Sequence, residues 1–95
     1  MKAEEYFEKH KHLLWLEHIS QEYKEDIAII ERELDHFTIV GVGYNARGDT
    51  RVMDFNPHRT IKPRYILDGL KEALQGLEID IKKIKEEISS VIVEL

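Results

Sequence analysis

Apolar residues recur at alternating steps of three and four along two stretches of the chain, and this spacing predicts two long amphipathic helices. From Lys2 to about Asp35 neither proline nor glycine interrupts, and Glu4 and Glu5 stand where a helix N-terminus favours anions. The seam there is Tyr6, Lys9, Leu13, Leu16, Ser20, Tyr23, Ile27, Ile30 and Leu34, with Lys9 and Ser20 as polar breaks placed to set register. A helix over about 3–35 follows. Leu13, Leu14, Trp15 and Leu16, followed by Ile19, spread apolar surface beyond one face, which implies more than one neighbour.

The second helix is expected over about 63–94, opening at Pro63, whose fixed φ suits a first helical position. Its seam, Leu67, Leu70, Leu74, Leu77, Ile81, Ile84, Ile88, Val91 and Leu95, has no polar break. The β-branched end from Ser89 to Leu95 also allows a terminal strand, and helix is the preferred reading. Off that seam lie Gly69, Ala73 and Gly76. A glycine costs about 1 kcal/mol against alanine inside a helix, so close approach of another helix, or of the folded-back hairpin, is the expected compensation.

Between the helices the period changes. Phe37 to Asn45 and Thr50 to Asn56 read as two strands around an Ala46-Arg47-Gly48-Asp49 turn, a β-hairpin over about 37–56. Gly41 and Gly43 share a strand face and leave room for a backbone, a ring or a ligand. A connecting segment over 57–62 returns to the second helix. The expected fold is one domain over 1–95, mainly α with a small β-hairpin: two long antiparallel amphipathic helices in α-β-β-α order. Each helix has one stripe its partner can cover, and a chain this small needs more covered surface, so assembly into a helical-bundle oligomer is expected.

Composition narrows the function. There is no cysteine, hence no disulfide, thiolate metal site or thiol nucleophile. No apolar run approaches the ~18 residues of a membrane span, and no signal-peptide pattern opens the chain, so the expectation is a cytoplasmic protein without membrane contact. The net charge is −5, but residues 45–64 carry Arg47, Arg51, Arg59, Lys62 and Arg64 against Asp49 and Asp54, a local +3. Four of the five arginines lie in that stretch and only one of the nine lysines does.

Guanidinium groups grip phosphate bidentately, and aromatic faces stack on bases. Tyr44, Arg47, Arg51, Phe55, His58, Arg59, Lys62, Arg64 and Tyr65 are therefore the candidate ligand-binding residues, for an anion such as a nucleotide or nucleic acid. The helix beginning at Pro63 adds its own N–H groups. The competing reading gives these arginines to glutamates of a neighbouring subunit. Glu8 with His12 and His18 with Glu22 stand four apart on one helix, a spacing that chelates metal only with help from a second helix, which has no histidine. Glu5, Glu8, Glu22 and Glu25 loosely resemble the magnesium-holding carboxylate pairs of all-helical nucleotide pyrophosphohydrolases, without the further acidic positions on following helices. A solvated helix face accounts for the same residues, so no metal and no cofactor is assigned.

Arg47-Gly48-Asp49 matters as an integrin motif only in a secreted protein. Ser20, Ser89 and Ser90 have no glycine elbow beside them, so covalent catalysis is not expected, and Gly41 and Gly43 do not precede a helix as a phosphate loop requires. The leading expectation is a non-enzymatic oligomeric binding protein whose partners are copies of itself and an anionic ligand, by class-level analogy a sequestering or inhibitory protein of a phage or mobile element. A coiled-coil adaptor for a protein partner comes second and a metal-dependent nucleotide hydrolase third.

Overall fold

A computed structural model describes residues 1–56 and 58–90. Helix α1 spans Ala3–Arg32, a 3-10 turn spans Leu34–His36, strands β1 and β2 span Gly41–Ala46 and Asp49–Asp54, and helix α2 spans Pro63–Ser89. The order is α-β-β-α and the fold is mainly helical, as expected. Ser90 N–H still closes a bond to Glu86 O at 3.1 Å. The alternatives for Val91 to Leu95 lie outside the described residues.

The helices pair antiparallel along their seams. Leu13, Leu16 and Ile81 are buried together, with Leu77, Ile84 and Ile88 packed on them. Nearer the hairpin, Ile27, Ile30 and Leu67 are buried, supported by Leu34, Phe37, Ile66, Leu70 and Leu74. Buried Ser20 lies between the two clusters. Each well-buried aliphatic side chain contributes about 1.5–3 kcal/mol, so these clusters hold the stem together. The other polar break, Lys9, reaches across to Glu87 in an ion pair.

One flank of the seam carries an ion-pair ladder. Glu17 Oε1 meets Lys85 Nζ at 3.5 Å, Lys24 Nζ meets Glu78 Oε1 at 3.7 Å, and Glu31 Oε1 meets Lys71 Nζ at 2.6 Å. Successive rungs are one heptad apart on both helices, and the sign reverses at each rung. Among the described residues no helix is long and apolar enough to cross a membrane.

The hairpin's bounds differ from the sequence reading at its base. β1 starts at Gly41, four residues later than Phe37, because Phe37 is drawn against the helical cluster beside Leu34 and Ile66 and cannot also extend a strand. β2 ends at Asp54, since Asn56 turns into a bridge with Arg59. Gly69 and Gly76 have open space where a Cβ would sit, so within one chain neither α1 nor the hairpin packs on that strip.

Candidate anion-binding hairpin

The register pairs Tyr44 with Arg51, Val42 with Met53 and Gly43 with Val52, and closes with Ala46 opposite Asp49. The two residues between them both have positive φ, 54° at Arg47 and 84° at Gly48, as a type I′ turn demands. Glycine meets that demand freely. Arginine does so against a steric cost of about 1–2 kcal/mol. Asn45 makes the turn hold: its Oδ1 accepts from Gly48 N–H at 3.0 Å, and its Nδ2 donates to Thr50 Oγ1 at 3.2 Å. Asn45 lies outside the sequence-derived candidates, although asparagine three residues before a turn glycine is a readable signal.

Six residues of strand rise about 20 Å, so Arg47 stands that far from the hairpin base. Tyr44 and Arg51 share a face midway, and Arg51 Nε donates to Asp49 Oδ2 at 2.8 Å, which neutralises part of its charge. At the base Asn56 and Arg59 exchange backbone hydrogen bonds at 3.0 and 2.9 Å, and His58 N–H donates to Asn56 Oδ1 at 2.8 Å. This tight reversal fixes the chain around His58 and Arg59. Lys62 then caps α2 in extended conformation without a side-chain capping bond, Pro63 follows, and Tyr65 N–H donates to Lys62 O at 3.0 Å.

The nine candidates therefore fall into three places: Arg47 at the tip, Tyr44 and Arg51 along the hairpin, and Phe55, His58, Arg59, Lys62, Arg64 and Tyr65 at the base and the start of α2. All are exposed except half-buried Phe55. A cleft at the hairpin base is lined by Thr38, Ile39, Val40, Phe55, Asn56 and Thr60, so of the nine only Phe55 borders it. Arg51 is the candidate cation with an ion pair. Among the described residues Arg47, Arg59, Lys62 and Arg64 have none, and the first turn of α2 contains no acidic residue. Lys62 and Arg64 thus stand at the positive end of the α2 dipole, with Arg59 three residues before Lys62, an arrangement electrostatics disfavours unless an anion joins them.

On α1, His18 Nε2 pairs with Glu22 Oε1 at 2.7 Å. Among the described residues no three histidine, aspartate or glutamate side chains converge to hold a metal ion. The chain matches no protein-family model, no curated protein and no solved structure.

Proposed function

We propose that the protein is a non-enzymatic, oligomeric binding protein that holds an anionic phosphate ligand on its basic hairpin, with a strand of nucleic acid favoured over a single nucleotide. The carrying observation is a set of cations with no ion pair among the described residues: Lys62 and Arg64 at the acid-free first turn of α2, Arg59 in the reversal that leads into it, and Arg47 at the tip. The spread of these groups, about 20 Å from base to tip, suits an extended polyanion. Exposed Tyr44 and Tyr65 offer rings for stacking bases.

Fluorescence anisotropy with short single-stranded oligonucleotides and with mono-, di- and cyclic nucleotides tests this reading. The expected pattern is oligonucleotide binding that weakens with salt and is reduced at least about tenfold by Arg59→Ala with Arg64→Ala. Binding no better than about millimolar for every ligand refutes it.

Self-association belongs to the same reading, and exposed Phe7, Leu14 and Trp15 on α1 support it. Those side chains equally favour a second reading, an adaptor whose α1 face docks a different protein. A monomeric purified chain, with a stoichiometric protein partner retained through nuclease and high salt, would decide for the adaptor.

A further inference from the structure

The backbone of the hairpin leaves a specific set of hydrogen-bonding groups open. Phe55 N–H donates to Val40 O at 3.0 Å, which makes 40 and 55 a bonded pair. Antiparallel ladders alternate, so 42 with 53, 44 with 51 and 46 with 49 are the other bonded pairs. The N–H and C=O groups of Gly41, Gly43 and Asn45 then face outward along β1, and those of Thr50, Val52 and Asp54 along β2. Among the described residues the sheet has two strands, and a lone two-stranded hairpin is at best marginally stable in water.

The two edges are not alike. β2 carries Asp49, Arg51 and Asp54, the kind of charge that keeps foreign strands off an edge. β1, Gly-Val-Gly-Tyr-Asn-Ala, has neither a charge nor a proline. Two of its three outward residues are glycines, which weaken a strand unless something must come close. At Gly43 the space a Cβ would fill is open, with nothing within 4 Å. Val40, Val42 and Tyr44 lie together on one face of this edge, and Val40 is 78% exposed.

We propose that β1 is a docking edge for β1 of a second copy of this chain, antiparallel about a two-fold axis at Gly43, forming one sheet in the order β2-β1-β1-β2. Three features select a second copy. The uncharged edge meets an uncharged edge, while both charged β2 edges stay outermost. Tyr44 of each copy comes opposite Val42 of the other, an aromatic and β-branched pair of the kind that stabilises sheets. The antiparallel arrangement sends the two cationic Arg47 tips to opposite ends of the joint. The contact is independent of what the arginines hold.

Residue-resolved hydrogen exchange on the unmodified full chain is the first test. Pairing predicts that the amides of Gly41, Gly43 and Asn45 exchange at least about tenfold more slowly than those of Thr50, Val52 and Asp54, increasingly so with protein concentration. Equal exchange on both edges, or slower exchange on β2, overturns the proposal. Because the chain lacks cysteine, Gly43→Cys and Val52→Cys give a second, covalent test. Directly bonded partners lie about 5.5 Å apart at Cα, within the span of a disulfide, so under mild oxidation Gly43→Cys is expected to give dimer several-fold faster. A Val52→Cys variant that cross-links as fast or faster overturns it. Gly43→Pro removes an outward donor and leaves the hairpin's own ladder intact; it is expected to abolish the protection of Gly41 and Asn45 with helical content unchanged, and persistent protection refutes the contact.

Discussion

At Arg47 a residue with a side chain occupies a backbone position that asparagine or glycine fills more cheaply. Its φ of 54° sits beside 84° at Gly48, and the two together turn the hairpin in two residues. Replacing Arg47 with Asn keeps the turn and removes most of the strain, so the hairpin is expected to gain about 0.5–1 kcal/mol, measured as slower exchange of the Tyr44 and Ala46 amides. The same substitution is expected to weaken oligonucleotide binding, a stabilised hairpin with a poorer ligand site. Gly48→Ala runs the other way and is expected to cost about 1 kcal/mol in the same measurement. The arginine clustering and the turn were legible in the sequence, because both are local. The distribution of the arginines over tip, middle and base was not. It depends on Asn56 folding back on Arg59, a local reversal that the strand reading ran through, and on Phe37 leaving the strand for the helical cluster, which follows from tertiary packing.

The helix pair shows the same division one level up. Among the described residues the seam positions read from periodicity are buried or half-buried, and the buried ones are Leu13, Leu16, Ser20, Ile27 and Ile30 on α1 and Leu67 and Ile81 on α2. Seams alone leave the register open by whole heptads, and the ladder closes that freedom. Sliding one helix by seven residues in either direction brings like charges together, Glu17 to Glu78 and Lys24 to Lys71 one way, Lys24 to Lys85 and Glu31 to Glu78 the other. This pairing was invisible until the register was known. The ladder side chains are about half exposed, so each rung contributes only about 0.2–1 kcal/mol. Lys24→Glu is expected to lower thermal stability by that order, and adding Glu78→Lys to restore it; a double variant as unstable as the single one would show that the rung does not sense its partner. Ser20, buried between the two clusters beside Ile81, is the place where apolar volume is missing from the seam. Ser20→Leu is expected to raise stability by about 1–2 kcal/mol in urea unfolding, through added apolar burial.

The whole molecule is thin. Its principal extents are 60 × 33 × 14 Å and its radius of gyration is 18.4 Å, against about 12 Å for a compact domain of this length. The chain exposes 7762 Å² of surface, whereas a compact monomer of its mass would expose about 5,700 Å². The difference is of the order that a specific interface removes, and among the described residues no large side chain is completely buried. Two helices lying side by side cannot build a second layer, which is why the apolar excess read from Leu14 and Trp15 reappears as exposed surface, 67% and 59%. Trp15 is the chain's one tryptophan and reports on that surface directly. If self-association covers it, sedimentation at tens of micromolar gives a dimer or larger species, and Trp15 emission shifts to the blue and resists quenching by iodide as concentration rises. Leu14→Lys with Trp15 retained is then expected to shift the population toward monomer and leave the fluorophore as accessible at high concentration as at low, because a charge at the centre of the patch must be desolvated for the contact to form. The hairpin edge gives an independent comparison, since Gly43→Pro acts some distance along the rod and leaves α1 untouched. A chain whose Trp15 emission ignores concentration uses that face for something other than its own copies.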